Sequence, residues 1–229
     1  MRYRPSPPRL RAALGVLLLA LALGLFATLA IDLVHQGPIT RADAEVSSWL
    51  QVRLQPAFTQ LMLALTHLHS NAGIVLMAAT AAAVLVRRRQ VAWVPLLVSS
   101  VGGGLLLNVL VKQLFQRARP VWDDPLLTLH TYSFPSGHTA GATVWWGFFT
   151  VLVFTHRPTL PWKAATVVMA IGMVCLTALS RVYLGVHHLS DVLAAAAEGC
   201  AWLVLCFMAS ASATGARRAN RPTGRAGDH

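Results

Sequence analysis

The sequence predicts an all-α integral membrane protein, a bundle of six transmembrane helices. The first observation behind that fold class is composition: of 229 residues, 55% are hydrophobic and only 12% charged, and the mean hydropathy is +0.57. Soluble domains carry charge on about a quarter of their residues. The second is the length of the apolar runs, several of which exceed the roughly 18 residues that mark a membrane-spanning helix. The third is the placement of charge, which collects at the chain ends and between the runs.

The first span is read at 11–32. Its uncharged stretch, Ala12 to Ile31, follows a basic N-terminus much as a secretory signal would. It is long for a signal core and no small-x-small cleavage site follows, so it counts as a span. The long connection 33–60 contains Val46, Trp49, Leu50 and Leu54 at helical spacing, with Arg41, Asp43 and Glu45 assigned off that stripe; Thr40 to Leu54 is expected to be an interfacial helix. The second span is placed at 61–86, and Pro56, His67, His69 and Asn71 predict a break before or inside it. Spans three to six follow at 91–111, 138–155, 163–181 and 188–209, with a second long connection at 112–137. No internal repeat is visible. The whole chain, 1–229, is expected to be one domain, with 1–10 and about 214–229 as disordered cytoplasmic tails.

Orientation follows from the basic residues. With the N-terminus in the cytoplasm, that side receives Arg2, Arg4, Arg9, Arg11, Arg87, Arg88, Arg89, Arg157, Lys163, Arg217, Arg218, Arg221 and Arg225, thirteen in all. The other side receives Arg41, Arg53, Lys112, Arg117, Arg119 and Arg181, which is six. The positive-inside rule therefore puts both termini in the cytoplasm. The same distribution accounts for the net charge of +11 without a nucleic-acid partner, since the sequence has no basic helix, aromatic ladder or zinc-finger spacing. Cys175, Cys200 and Cys206 lie in apolar runs and are read as small core hydrophobes. The seven tryptophans fall mostly near span ends, as belt residues do.

Three clusters of ionisable residues at span ends call for a chemical explanation, because charge near hydrocarbon is costly. They are Lys112 through Arg119-Pro120, then Pro135-Ser136-Gly137-His138, then Ser180-Arg181 followed by His187 and Asp191. Six spans bring all three to one membrane face, where they describe a polyanion site. Lys112, Arg119 and Arg181 are cations without nearby carboxylates in sequence, suited to a phosphoryl group. The Ser136-Gly137-His138 turn opens a helix whose N–H groups and dipole favour an anion, and Gly137 permits close backbone approach. His187 and Asp191, four apart, share a helix face, so Asp191 can accept from Nδ1 and leave Nε2 nucleophilic, with His138 free to act as the acid.

Lys-x6-Arg-Pro, Pro-Ser-Gly-His and Ser-Arg-x5-His-x3-Asp, in this order across 112–191, resemble the three-part signature of the type-2 phosphatidic acid phosphatase superfamily. The six-span layout is similar to its membrane lipid-phosphatase branch. The resemblance implies that Lys112, Arg119 and Arg181 bind the phosphate oxygens, with Ser136 and Gly137 adding hydrogen bonds. It implies that His187 attacks phosphorus to form a phosphohistidine, that Asp191 orients it, and that His138 protonates the departing oxygen. Neither metal nor cofactor is implied, because the cations do what Mg²⁺ does elsewhere. His188 and Leu189 depart from the family, which often has an aromatic and a proline there.

The expected function is hydrolysis of a lipid phosphate or diphosphate, with undecaprenyl diphosphate, phosphatidylglycerophosphate and phosphatidic acid ranked about equally. A phosphotransferase and a non-catalytic lipid-binding or transport protein are the alternatives. The Arg- and Ala-rich composition fits a GC-rich bacterial genome, hence a bacterial plasma membrane with the site on its non-cytoplasmic face. Arg117 is read as a surface or headgroup contact, Asp123 and Asp124 as loop solvation, His67, His69 and Asn71 as polar residues at a helix break, and Glu198 as a structural hydrogen-bonding group.

Overall fold

The computed structural model describes residues 8–156 and 159–219, which form eight α-helices and, among the described residues, no strand. They are α1 (Pro8–Val34), α2 (Pro38–Gln51), α3 (Pro56–Leu68), α4 (Asn71–Arg87), α5 (Val94–Phe115, entered through a 3-10 turn at Val91–Trp93), α6 (Gly137–His156), α7 (Leu160–Tyr183) and α8 (Leu189–Ala219). Helix α8 runs past the expected start of the C-terminal tail; the rest of that tail and residues 1–7 lie outside the described residues.

Local chemistry sets the helix starts. Proline stands at the first or second position of α2, α3, α5 and α7, where its missing N–H has no intrahelical partner to lose. Ser70 caps α4, its hydroxyl accepting from Gly73 N at 3.1 Å. The Asp32 carboxylate, at the end of α1, accepts from the Ile39 and Thr40 amides of α2 at 3.2 and 2.7 Å and so fixes the turn between the two helices.

Four segments are long and apolar enough to cross a membrane: Ala12–Val34, Val91–Phe115, Leu160–Tyr183 and Leu189–Ser212. Helices α3 and α4 pass the same test together, bent by 54° at the break, and the break falls at His69-Ser70, inside the expected second span. Helix α6 falls short, and its surroundings explain why. It packs on α5, α7 and α8, and Thr139, Ala140, Gly141, Ala142, Thr143, Val144, Trp145 and Phe148 are buried. A helix screened by protein on so much of its surface can carry Gly and Thr in place of lipid-compatible side chains. The helices around it show the reverse pattern: Leu17, Leu18 and Leu21 on α1, Leu106 and Leu110 on α5, and Val168 and Ile171 on α7 are all exposed. Apolar surface that continuous faces hydrocarbon.

The core lies in three clusters. Ile74, Leu97, Val101, Val144 and Phe148 join α4, α5 and α6. Leu29, Leu33, Phe134 and Ala194 pack α1 and α8 against the connection between α5 and α6. Met62, Tyr183, Leu184 and Val186 join α3 to the end of α7. Several sequence expectations change here. The cysteines are not core residues, since Cys175 and Cys200 are exposed and Cys206 is half-buried. Five tryptophans serve the interior: Trp145 is buried, Trp93 packs edge-on against buried Phe148, Trp146 donates to His69 Nε2 at 3.0 Å, Trp202 donates to the Ser99 and Ser100 carbonyls at 3.1 and 3.0 Å, and Trp122 donates to Gly185 O at 2.9 Å.

Gly185, in the link from α7 to α8, has φ +70°, and a Cβ there would stand 2.5 Å from Trp122 Nε1 and 2.6 Å from Gln51 Nε2. Both backbone conformation and space thus demand glycine. Gly185→Ala is expected to destabilise the folded chain by about 1–2 kcal/mol from the left-handed conformation alone, with the clash adding to it. Thermal unfolding in detergent checks this; an unchanged midpoint would count against the turn geometry.

Candidate active site

The link from α7 to α8 is built by backbone hydrogen bonds that close on Arg181, whose carbonyl accepts from both Val186 N and His187 N at 3.2 Å. That closure brings His187 back beside the end of α7. His187 is 1% exposed and Asp191 is completely buried. The Nδ1 of His187 lies 3.3 Å from Asp191 Oδ2 and 3.4 Å from Ser133 Oγ. Its Nε2 lies 3.1 Å from Arg119 Nη1. A guanidinium only donates, so Nε2 is the acceptor and the proton sits on Nδ1, directed at Asp191. One detail differs from expectation: α8 begins at Leu189, so His187 precedes the helix and meets Asp191 through the turn, not along a helix face. Asp191 doubles as a cap, its Oδ2 accepting from His188 N at 2.9 Å.

Burial pushes the His187 imidazolium far below its ordinary range. The nearby Asp191 opposes that shift, and Arg119 and Arg181 add to it. The ring is therefore held neutral, as a nucleophile or base must be.

Arg119 and Arg181 lie beside this histidine, and Lys112 is the electrostatic neighbour of both arginines. Arg181, in the last turn of α7, is 1% exposed; its Nη1 donates to Thr66 Oγ1 at 2.8 Å, while Nε and Nη2 are buried with no hydrogen-bond partner among the described residues. Arg119 donates to Thr131 O at 2.7 Å, Val186 O at 2.6 Å and Tyr132 O at 3.2 Å. Lys112 donates to Tyr132 O at 2.7 Å and Ser133 O at 3.3 Å. None of the three makes an ion pair with a carboxylate among the described residues. They are held by carbonyl and hydroxyl dipoles, which fix position without cancelling charge.

The Pro135-Ser136-Gly137-His138 segment opens α6 beside them. The Phe134–Pro135 peptide is cis, Ser136 N donates to Asp191 O at 3.1 Å, and Ser136 Oγ accepts from Thr139 at 3.2 Å. A Cβ on Gly137 would stand 3.1 Å from Asn108 Oδ1, a tight contact that would require the Asn108 side chain to shift by a few tenths of an ångström. His138, in the first turn of α6, makes no hydrogen bond among the described residues, and Arg181, His187, Arg119 and His69 are its electrostatic neighbours.

All eight residues expected at the site thus meet at one end of the bundle, and several others join them. Arg117 is not a surface contact: its side chain is 9% exposed, and it pairs with Asp191 Oδ1 at 2.6 Å and Asp43 Oδ2 at 2.9 Å. Asp43 is buried too. It lies three residues before Val46 and seven before Leu50, so it belongs to the inward stripe of α2 and not to the polar face expected for it; Trp49 is the residue that points out, 57% exposed. Glu198 is the structural group expected, but its partner is Asn108 on α5, at 2.8 Å. His69 is buried, bonded to Leu65 O at 3.0 Å and to Trp146, while His67, Asp123 and Asp124 are exposed. His188 lines a cavity of about 530 Å³ with Leu33, Phe115, Arg117 and Arg119, and its Nδ1 is buried without a partner among the described residues. A second cavity, about 390 Å³, is also lined by Arg119, with Trp122, Thr131 and Val186.

Known proteins resemble this chain in sequence and in fold. Residues 92–214 match the PAP2 superfamily. Phosphatidylglycerophosphatase B of Bacillus subtilis (strain 168) is 30% identical over 189 residues, covering 82% of this chain and 91% of the relative. The crystal structure of a transmembrane PAP2-type phosphatidylglycerolphosphate phosphatase from Bacillus subtilis superposes with a TM-score of 0.72 at 26% identity, over 91% of this chain and 98% of that one. That of Aquifex aeolicus LpxE gives 0.54 at 25% identity, over 74% and 94%. With the family matched over more than half its length, and its cations and histidines gathered at one end of the bundle, this chain belongs to the PAP2 superfamily.

Proposed function

We propose that this PAP2 phosphatase hydrolyses the phosphate of a membrane lipid through a phosphohistidine on His187. The observation that carries the proposal is the pairing of a neutral, oriented imidazole with an Arg181 whose Nε and Nη2 are buried with no hydrogen-bond partner among the described residues. A phosphoryl group set against His187 Nε2 would supply oxygens to those donors and to Lys112 and Arg119. Positive charge held in place before the reaction favours the transition state, where negative charge spreads over the equatorial oxygens. Ser136 and Gly137 add donors at the N-terminus of α6.

The chemistry balances in two steps. Nε2 attacks phosphorus as the bond to the lipid oxygen breaks, and His138 gives that oxygen its proton. Asp191 holds the Nδ1 proton throughout, which stabilises the charged ring while it carries the phosphoryl group. Water, giving its proton to His138, then cleaves the N–P bond and restores both histidines.

Six spans are the arrangement we favour: the four long helices, the bent α3–α4 pair and the protein-screened α6. The positive-inside count then puts both termini in the cytoplasm and the site on the opposite face of a bacterial plasma membrane, in one domain spanning the chain. A site at headgroup depth lets a lipid present its phosphate while its tails stay in the bilayer. The relatives' activity toward phosphatidylglycerophosphate favours that lipid as first candidate, ahead of undecaprenyl diphosphate and phosphatidic acid.

The purified protein is expected to release phosphate from lipid phosphates in EDTA and to be inhibited by vanadate. His187→Ala should lower turnover by about 10⁴-fold or more, as loss of a covalent nucleophile does; a fully active variant would sink the mechanism. Asp191→Asn should lose about 10²–10⁴-fold. A panel of phosphatidylglycerophosphate, undecaprenyl diphosphate, phosphatidic acid and a water-soluble monoester decides the substrate, and equal rates on all four would refute a lipid preference.

The depressed His187 gives a further test. Below its ordinary value near 6.5, the unfolded chain binds a proton that the folded chain refuses. Stability from this group is therefore complete above pH 6.5 and is lost as pH falls. The unfolding midpoint in detergent should drop as pH falls from 7 to 4, and less steeply in His187→Gln. Parallel curves for the two proteins would contradict the assignment.

A further inference from the structure

We infer that Arg117 and Asp43 are positioning residues for the reaction, locking the Asp191 carboxylate in the orientation that receives the Nδ1 proton of His187. This rests on the roles proposed above for His187 and Asp191. Asp191 is fully buried, so each of its oxygens needs donors from the protein. Oδ2 has three: Ser133 Oγ, His188 N and His187 Nδ1. Oδ1 has one, Arg117 Nη1. Without Arg117, Oδ1 would be a buried charge with no donor, and the carboxylate would have to turn toward the remaining donors or take up a proton. Either change spoils the Nδ1 contact.

Arg117 is in turn held from the other side. Its Nη2 donates to Asp43 Oδ2 at 2.9 Å, and Nη1 also donates to Ser190 Oγ at 2.7 Å. Asp43 Oδ1 accepts from Ser190 N at 2.9 Å, and Oδ2 accepts from Ser190 Oγ. Ser190 immediately precedes Asp191, so one carboxylate on α2 grips both the start of α8 and the guanidinium that fixes Asp191. The planar fork of arginine reaches carboxylates on two helices at once; a lysine ammonium lacks that geometry. A purely structural ion pair would lower stability and leave the turnover of folded molecules unchanged. A positioning pair changes turnover itself.

The test measures phosphate release from short-chain phosphatidic acid in detergent micelles, with vanadate inhibition and thermal unfolding alongside, for the full chain and for Arg117→Gln, Arg117→Lys, Asp43→Asn and His187→Ala. We expect kcat to fall about 100-fold in Arg117→Gln and about tenfold in Arg117→Lys and Asp43→Asn, the scale of lost orienting partners. KM and the vanadate inhibition constant should stay within about threefold, because the phosphate-holding cations are untouched. The Arg117→Gln/Asp43→Asn double variant should be no slower than Arg117→Gln alone, as for residues acting as one unit. Folded Arg117→Lys and Asp43→Asn proteins that turn over within twofold of the unsubstituted chain would overturn the inference, and these two variants decide it if Arg117→Gln does not fold. A matching loss of vanadate affinity would also overturn it, by assigning Arg117 to phosphate binding. Activity surviving in His187→Ala would instead bring down the proposed mechanism, and this inference with it.

Discussion

A carboxylate with no access to solvent, Asp191, is the constraint around which one end of this bundle is built. Burying it is tolerable only because donors converge from separate parts of the chain: Arg117 and Ser133 from the α5–α6 connection, and His187 and the His188 amide from the α7–α8 turn. The donors therefore have to be delivered by two separate segments and held there. The long connection 116–136, the turn closed on the Arg181 carbonyl, and the docking of α2 on α8 through Asp43 all meet that requirement.

The cations obey a different rule. A buried Arg or Lys is usually matched by a carboxylate, yet Lys112, Arg119 and Arg181 are matched by the oxygens of Tyr132, Ser133, Thr131, Val186 and Thr66. Dipoles orient a cation and offset part of its desolvation, and they leave its charge available to an anion. The acidic groups nearby are kept to other tasks: Asp43 and Asp191 share Arg117, and Glu198 is bonded to Asn108. The division between paired and unpaired charge separates the groups bonded to Asp191 from the cations left without a carboxylate partner among the described residues, and the proposed mechanism assigns these two sets different tasks.

Much of this was legible in the sequence because it depends on local rules. Apolar run length marks α1, α5, α7 and α8, and the polar residues around His69 mark the bend between α3 and α4. The signature residues were legible as types with matching chemistry. Arg117 was not, because its sequence neighbours make it one more basic residue in a basic loop, and its two acidic partners lie 74 residues away in either direction. Asp43 carried a readable signal, the i, i+3, i+7 spacing with Val46 and Leu50, but a carboxylate on an apolar stripe invites assignment to the opposite face. The cysteines and tryptophans misled because apolarity does not distinguish a lipid-facing position from a core one; in a bilayer both are dry.

The sequence by itself determined that the chain is helical and membrane-embedded, that its signature residues meet at one end of it, and which chemistry they suit. Composition, run length and spacing act on each segment independently of the rest. Only the tertiary structure decided how Asp191 is held and oriented. It also decided that α6 is a protein-screened helix and that α2 belongs to the site. Those outcomes depend on contacts between segments far apart in the chain, where each buried polar atom finds its partner only after the helices have packed.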